Sequence, residues 1–261
     1  MENTFLRKMR VALTPTSSLL RTRLKNGAIV AGYNRPGYGG RGIYIHGESL
    51  EPELAELGTF LRPGSVFIDI GANVGVYTVK AAKEVQESGL VIAVEPFIES
   101  AQQLLRNVRA NHYGNVRIRN FCMGRKTEST VFYLNKGKPN SFGLFPDGKA
   151  ETLSVLSVSL DDLCRWEALD RLDYLKIDAE GAEGMILEGG IESINLFRPI
   201  IQVEIALHNI LTPAHYRRFS TPGVINHLFI PEENRDAIRA AQNLKWEEAS
   251  VGPRQSLASI G

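Results

Sequence analysis

The sequence predicts an α/β fold built on a doubly wound, mostly parallel sheet. Two observations lead to this class. Short, continuous apolar runs at 65–70, 90–95 and 116–121 are typical of strands covered on both faces. Helical periodicity fills the intervals at 74–85 and 98–111. Successive βα units at such short spacing favour parallel strands with right-handed crossovers.

An N-terminal extension over residues 1–63 precedes these units. Residues 1–25 predict a short helix or a disordered leader. Residues 26–50 are rich in glycine and predict short strands joined by turns. Residues 51–61 have helical spacing, and Pro63-Gly64 ends that helix.

Residues 64–261 are expected to form a single α/β domain. Beyond the third strand, the pattern predicts strands at 131–134, 153–159, 174–178, 199–206 and 225–230, and helices at 160–169, 182–189 and 232–244. The strand at 174–178 resumes the parallel sheet.

Charge is distributed unevenly along the chain. The whole chain carries +1, with 43% hydrophobic and 23% charged residues, so no overall field attracts nucleic acid. Residues 1–47, however, carry eight Lys and Arg against Glu2 alone, a net charge of +7 that leaves −6 for the remainder. Such asymmetry indicates either an anionic partner, such as a phosphorylated glycan, or a solvated basic face.

Compartment is inferred from the cysteines and from the apolar runs. No run reaches the ~18 residues of a transmembrane helix. Cys122 and Cys164 lack Cys-x-x-Cys spacing, which favours free thiols and a reducing compartment. We therefore predict a cytoplasmic protein, although residues 3–25, which carry arginines and no acid, also fit a mitochondrial leader. The sequence is compatible with both a monomer and a homo-oligomer.

The stretch "VFIDIGANVGVY" (66–77) predicts a ligand site at the end of the first sheet strand. Gly71 and Gly75 allow the backbone to approach a ligand closely, and the turn around Asn73 is expected to offer free N–H groups. Glu95 ends the next strand, 20 residues after Gly75, where an acid can accept hydrogen bonds from the ribose hydroxyls of an adenosine. Cys122, after the third strand, is expected to lie near the adenine.

Asp69 decides between adenosine ligands. The chain lacks Gly-x-x-x-x-Gly-Lys-[Ser/Thr] for a triphosphate and Gly-x-Gly-x-x-Gly for a dinucleotide. A carboxylate two residues before Gly71 would repel a pyrophosphate but suits a cationic ligand. S-adenosylmethionine has a sulfonium and an ammonium and no phosphate, so it is the predicted cofactor. An NAD-dependent dehydrogenase and a non-catalytic adenosine-ligand module remain the alternatives.

With these residues assembled, the sequence resembles the FkbM-like family of S-adenosylmethionine-dependent methyltransferases. The resemblance is carried by "VFIDIGANVGVYT" (66–78), "VIAVEP" (91–96), "SVSLDDL" (157–163), "LDYLKIDAEGAEGMILEGG" (172–190) and "RPIIQVEIALH" (198–208). It implies a Rossmann-like class I methyltransferase fold with a seven-stranded sheet. It also implies O-methylation of a hydroxyl on a carbohydrate, a glycolipid or a secondary metabolite.

Methyl transfer to a hydroxyl needs a group that removes the hydroxyl proton. Asp178 ends the fourth parallel strand and faces the expected ligand cleft, so it is a candidate for catalysis and for cofactor contact. Glu180 follows it, and His208 lies beyond a later strand with a pKa suited to a base. No metal is expected, although Asp178, Glu180 and Glu204 together could form an oxygen site for Mg²⁺.

Other polar residues near these strands have structural interpretations. Glu183 is explained better as a helix cap than as a catalytic group. Lys176 shares the strand face of Asp178 and is expected to pair with an acid there. Glu204, within an apolar strand, is expected to be paired. Asn140 and Ser141 are candidates for donor or acceptor contact, or else for a turn.

Overall fold

The computed structural model describes residues 4–36, 39–135, 142–143, 150–179, 181–204, 214–220 and 226–248. Its α-helices are α1 (Thr4–Leu13), α2 (Gly40–His46), α3 (Pro52–Phe60), α4 (Val76–Val85), α5 (Ile98–Ala110), α6 (Leu160–Trp166), α7 (Glu183–Glu188), α8 (Ile191–Phe197) and α9 (Arg235–Asn243). A 3₁₀ turn, Gly47–Leu50, follows α2.

The strands fall into three sheets. They are β1 (Leu19–Arg23), β2 (Ile29–Tyr33), β3 (Val66–Ile70), β4 (Leu90–Val94), β5 (Val116–Arg119), β6 (Cys122–Gly124), β7 (Glu128–Asn135), β8 (Phe142–Gly143), β9 (Ala150–Ser159), β10 (Tyr174–Ile177), β11 (Ile200–Glu204), β12 (Tyr216–Ser220), β13 (Asn226–Pro231) and β14 (Glu247–Glu248). The predicted "VFYL" and "LSVLSVS" strands lie in β7 and β9.

The main sheet confirms the predicted mostly parallel α/β class, but it has eight strands in the described residues rather than seven, because the two-residue strand β14 extends one edge. Its strand order is β14-β12-β13-β11-β10-β3-β4-β5. The five strands from β5 to β11 run parallel, and β13 and β12 are antiparallel additions. Strand order reverses at β3, whose neighbours are β4 on one side and β10 on the other. Ligands bind beyond the carboxyl ends of the strands at such a point.

Apolar side chains cover the main sheet on both faces. One buried cluster joins Phe67, Tyr174 and Ile200 to helices α3, α4 and α9, and the other packs Ile68 and Leu175 against α6, α7 and α8. Burial on both faces explains why these strands read as continuous apolar runs. No helix in the described part of the chain is long and apolar enough to cross a membrane.

The N-terminal segment packs onto this core. Its hairpin, β1 with β2, lies against α5, and buried side chains from it and from α2 and α3 belong to the same cluster as Phe67. The division of the chain at residue 64 stays a prediction. Residues 40–46 lie in the segment for which short strands and turns are predicted, but they form helix α2. Gly40 packs directly on the backbone of Gly32, because a Cβ at Gly40 would lie 2.4 Å from the Gly32 Cα.

Other elements also escaped the sequence pattern. Strand β1 lies in the segment for which a short helix or a disordered leader is predicted, so that prediction is wrong for its second half. The helix predicted at 182–189 is α7, and a second short helix, α8, follows it after Gly189 and Gly190. Strand β12 is short and polar, with Arg217 and Arg218 half-buried, so its pattern resembled a loop.

Candidate active site

A cavity of about 110 Å³ opens beyond the carboxyl ends of β3 and β10, where strand order reverses. The glycine turn after β3 forms one side and the end of β10 forms another. The segment from Gly39 to Leu54 closes it, so the N-terminal extension builds part of the wall. The polar and charged side chains lining the cavity are Glu51, Asp69, Asn73, Tyr77, Lys176 and Asp178.

Two glycines of the turn have a left-handed backbone and a close neighbour. Gly71 has φ +76°, and a Cβ there would lie 1.8 Å from the carbonyl oxygen of Asp178. Gly75 has φ +88°, and its Cβ would lie 2.3 Å from the end of the Leu104 side chain. The clash at Gly71 is with backbone and leaves no room for a side chain, whereas at Gly75 the Leu104 side chain would have to shift. The first of these contacts brings the ends of β3 and β10 together.

The N–H groups of the turn are used inside the protein. Those of Gly71 and Ala72 both donate to the carbonyl oxygen of Val94, at 3.0 Å each. That of Asn73 donates to the carboxylate of Glu95 at 2.7 Å. The prediction of free N–H groups is therefore wrong at these three residues, because the turn packs against the end of β4. A phosphate would find no free donor in this part of the turn.

Glu95 binds the turn to the end of β4 and can still accept hydrogen bonds from a ligand. Its two carboxylate oxygens accept the N–H groups of Asn73 and Phe97, at 2.7 and 2.8 Å. A carboxylate can accept about four hydrogen bonds, so two remain for other donors. Burial raises the pKa of Glu95 to about 7. Cys122 is buried nearby in β6, and burial together with the charge of Glu95 raises the pKa of its thiol to about 12.

A row of polar side chains crosses three neighbouring strands below the cavity. Asp69 of β3, Lys176 of β10 and Gln202 of β11 occupy one register position. All three are buried. Because paired residues of neighbouring strands point to the same face, the row lies under α4 and next to the cavity. A polar row in an otherwise apolar sheet stays buried only when its members are paired.

Lys176 is the centre of charge in this row. Its ammonium lies 3.2 Å from Asp178 and 4.0 Å from Asp69, which confirms the predicted pairing with an acid. It also lies 4.7 Å from the ring centroid of Tyr77. Burial lowers the pKa of Lys176, but the carboxylates of Asp178 and Asp69 outweigh it and hold the pKa above its ordinary value.

The two carboxylate oxygens of Asp69 have different partners. Oδ2 accepts the hydroxyl of Thr78 at 2.6 Å, which ties β3 to the first turn of α4. Oδ1 is buried and accepts no hydrogen bond among the described residues, although it is the atom that lies 4.0 Å from the Lys176 ammonium. Burial raises the pKa of Asp69, although Lys176 opposes this shift. A buried, unsatisfied carboxylate oxygen beside a cavity is a candidate to receive a cationic or hydrogen-bonding group of a ligand.

Tyr77 links the row to the N-terminal extension. Its hydroxyl donates to Glu51 at 2.6 Å and accepts from Gln202 at 3.1 Å. Gln202 in turn accepts from the hydroxyl of Tyr174 at 2.9 Å. Burial, and then the charge of Glu51, raises the pKa of Tyr77 well above its ordinary value. Glu51 is thereby held at the mouth of the cavity by a chain of hydrogen bonds.

The predicted site residues divide into three groups. Four of them line the cavity: Asp69, Gly71, Asn73 and Asp178. Three others lie near it without lining it: Gly75 in the same turn, Glu95 bonded to Asn73, and Cys122 close to Glu95. Glu180, His208, Asn140 and Ser141 lie outside the described residues.

Two further acids, Glu183 and Glu204, were given structural interpretations from the sequence. Glu183 is buried and accepts the N–H groups of Ala179 and Gly181 at 3.0 and 3.1 Å, which holds the turn after Asp178. Glu204 was expected inside the apolar strand, but it ends β11 and its side chain is exposed.

Sequence reasoning missed Glu51, Tyr77 and Gln202 as neighbours of the cavity. A signal existed in the strands: "VFIDI", "YLKI" and "IIQVE" each carry a polar residue one position before the last residue of the run or two positions before it, namely Asp69, Lys176 and Gln202. The register that aligns these residues depends on pairing between segments more than 25 residues apart, for example Lys176 with Gln202.

The chain is similar to the crystal structure of an FkbM methyltransferase from Methylobacillus flagellatus, with 16% identity, a TM-score of 0.40 and coverage of 77% of this chain and 48% of that one. It is also similar to a SAM-dependent methyltransferase from Agrobacterium tumefaciens, with 7% identity, a TM-score of 0.44 and coverage of 74% and 55%. The chain thus spans about half the length of each. No curated protein matches it in sequence.

Family membership rests on the sequence itself. Residues 69–221, more than half of the chain, match the Methyltransferase FkbM domain. This range contains the glycine turn, Glu95, Lys176 and Asp178, and the main sheet has the mostly parallel, Rossmann-like architecture predicted for class I methyltransferases. The chain belongs to the FkbM family of methyltransferases.

Proposed function

We propose that the chain transfers a methyl group from S-adenosylmethionine to a hydroxyl of a carbohydrate, a glycolipid or a secondary metabolite. The charge of the cavity lining is the observation that supports this cofactor over the alternatives. The lining contains the carboxylates of Glu51, Asp69 and Asp178 against the single ammonium of Lys176, a net charge of −2. This lining attracts a cation and repels a pyrophosphate.

The residues at this edge of the sheet have the charge and the acceptor groups that this cofactor requires. S-adenosylmethionine, when bound, supplies a methyl group on a positively charged sulfonium. The open Oδ1 of Asp69 would accept from its ammonium, directly or through water. The remaining acceptor capacity of Glu95 would take the ribose hydroxyls. Gly71 and Asn73 would lie against the nucleoside, and Cys122 near the adenine.

Asp178 is proposed to accept the proton of the hydroxyl that is methylated. The side chain is 40% exposed at the cavity, so an acceptor can reach it. Lys176, 3.2 Å away and itself buried, orients the carboxylate and acts as a positioning residue. Positioning supplies most of the acceleration in such a displacement, because the sulfonium is already a good leaving group. Glu180 and His208 remain candidates for the same role.

The alternatives have weaker support. An NAD-dependent dehydrogenase would need donors for a pyrophosphate, but the N–H groups of Gly71, Ala72 and Asn73 are occupied. A non-catalytic adenosine-ligand module would have no use for an exposed carboxylate oriented by a buried lysine. A cytoplasmic location is inferred from Cys122 and Cys164, which are buried free thiols.

Calorimetric titration with S-adenosylhomocysteine and with NAD⁺ tests the cofactor. We expect the homocysteine product alone to bind, and Glu95→Ala to weaken it by about tenfold or more, since it removes charge-assisted hydrogen bonds. The matched control is Glu99→Ala, which removes an exposed acid four residues away. Binding of NAD⁺, or an equal loss in both variants, would contradict the assignment.

Methyl transfer from labelled S-adenosylmethionine to a panel of sugars, glycolipids and hydroxylated metabolites tests the reaction. Asp178→Asn should bind S-adenosylhomocysteine within about threefold of the wild type but lose about a hundredfold or more in turnover. Binding without turnover on any acceptor, by the wild type, would favour the non-catalytic module. Full turnover by Asp178→Asn would transfer the role of base to another residue.

A further inference from the structure

Helix α1 has an outer face of large apolar side chains. Leu6, Met9 and Leu13 are exposed by 53%, 48% and 82%, and Phe5 by 64%. At about 100° per residue these four positions fall within an arc of about 100°. They therefore form one apolar stripe along the helix, which we call the outer face of α1. Apolar surface concentrated in this way marks an interaction site.

The opposite face of α1 is anchored to the rest of the molecule. Val11 is 3% exposed and packs with Leu20 and Tyr44. Arg7 donates to the carbonyl oxygen of Tyr44 at 2.9 Å, and Arg10 donates to its hydroxyl at 3.0 Å. Since both arginines and Val11 bind the same side of the molecule, the helix is fixed with its apolar stripe directed outward.

Two basic residues flank the stripe. Lys8 and Arg10 lie about 100° from its centre on either side, and Arg10 also binds the Tyr44 hydroxyl. The first 47 residues carry +7, with Glu2 as the single acid. A second copy of the chain would bring an equal positive charge against this face, so self-association through it is electrostatically disfavoured. A partner must instead have a negatively charged surface over an apolar interior that the side chains of the stripe can enter.

An anionic lipid bilayer has that combination of properties. We propose that the outer face of α1 binds the surface of an anionic membrane, with the helix in the plane of the interface. Phe5, Leu6, Met9 and Leu13 enter the boundary between headgroups and acyl chains, while Lys8 at the flank of the stripe contacts anionic headgroups. Binding is peripheral and reversible, because a single helix of ten residues buries little area.

The site is close to this surface. Helix α2 contacts α1 through Tyr44, and the preceding residue, Ile43, lines the cavity. One short helix thus separates the proposed membrane surface from the cavity. This inference concerns binding and does not depend on the methyl-transfer activity.

Vesicle sedimentation tests the proposal with the full chain. We expect the wild type to bind phosphatidylcholine vesicles containing about 30% phosphatidylglycerol at least about tenfold more tightly than vesicles of phosphatidylcholine alone. High salt should weaken the binding, because exposed charges are screened. The variant Leu6→Ser/Met9→Ser/Leu13→Ser should lose about tenfold or more in partitioning.

A matched control separates this face from general surface apolarity. Ile98→Ser/Leu153→Ser/Leu196→Ser changes three side chains exposed by 54%, 50% and 74% on other elements and should bind vesicles as the wild type does. Thermal unfolding verifies that both triple variants are folded. Absence of binding by the wild type, equal binding to neutral vesicles, or equal losses in both triple variants would overturn the proposal. The proposal would also be overturned if the wild type bound no vesicles but formed a dimer that only the α1 substitutions dissociate.

Discussion

Gly71 lies where the chain leaving β3 passes the chain leaving β10. Replacing it by alanine would force a Cβ to within 1.8 Å of the Asp178 carbonyl oxygen, at a φ of +76°. We expect Gly71→Ala to destabilise the fold by more than the ~1–2 kcal/mol of left-handed strain alone and to abolish S-adenosylhomocysteine binding.

Gly27→Ala is the matched control for this prediction. Gly27 has φ +91°, but a Cβ there meets no atom within 4 Å, so it carries strain without a clash. Urea unfolding of both variants gives the comparison. Equal losses of unfolding free energy would mean that the contact with Asp178 has no energetic weight.

Glu95 makes ligand binding sensitive to pH near neutrality. Its pKa is raised to about 7 by burial, so the carboxylate is half protonated there in the free protein. Ribose hydroxyls donate to the ionised form, so binding should favour proton release, and affinity should fall as the pH drops from about 8 to about 6. Calorimetry in buffers of different ionisation enthalpy measures the released proton. A pH-independent affinity, or proton uptake, would contradict this.

At the scale of elements, side chains of α5 form the hydrogen bonds with the edge of β2 that a neighbouring strand would otherwise form. Asn107 accepts from the N–H of Ala31 at 2.9 Å and donates to its carbonyl at 2.8 Å, and Asn111 pairs with Ile29 in the same way. Four helical residues rise about 6.0 Å and two strand residues about 6.7 Å, so the two spacings match. The edge of the hairpin is thereby satisfied by side chains.

Asn107 also connects the hairpin to the glycine turn. Its amide donates to the carbonyl of Val74 at 2.7 Å. Asn107→Ala would leave this carbonyl and the N–H of Ala31 without their partner, and we expect a loss of ~2–4 kcal/mol in chemical unfolding, with weaker cofactor binding. Gln102→Ala, at an exposed position of the same helix, should change stability little. Similar effects of the two substitutions would refute a coupling role.

At the scale of the whole molecule, the N-terminal segment is part of the core. Leu24, Val30 and Ile43 are buried in the same cluster as Phe67 of β3. Lys80 of α4 pairs with Glu48 at 2.5 Å, and the two side chains are only 4% and 2% exposed. Removing one member of a buried ion pair leaves an uncompensated charge, which costs about 3–5 kcal/mol.

We therefore expect a chain that begins at residue 64 to fold poorly. It would expose the apolar face of the sheet and leave Lys80 without its carboxylate. Thermal unfolding and binding of a hydrophobic dye measure this. A chain beginning at residue 15, which lacks only α1, should unfold cooperatively. If the chain from residue 64 melts as the full chain does, residues 1–63 are an appendage, as the predicted boundary at 64 would allow.

Local pattern alone was enough for much of the fold. Continuous apolar runs identified β3, β4, β10 and β11, since strands buried on both faces need apolar residues at successive positions. The local pattern failed for α2, where "IYIH" is strand-like but Gly40 packs on Gly32 in a helix, and for the polar strand β12.

What the sequence by itself determined is the chemistry at each strand end: two glycines, an acid before them, an acid 20 residues on, and Asp178. These are properties of single positions. Only the tertiary structure decided that the turn's N–H groups are occupied, that Asp69, Lys176 and Gln202 align, and that the N-terminal extension closes the cavity. These depend on register and packing between segments distant in sequence, and no local pattern specifies which pairing satisfies every buried polar group.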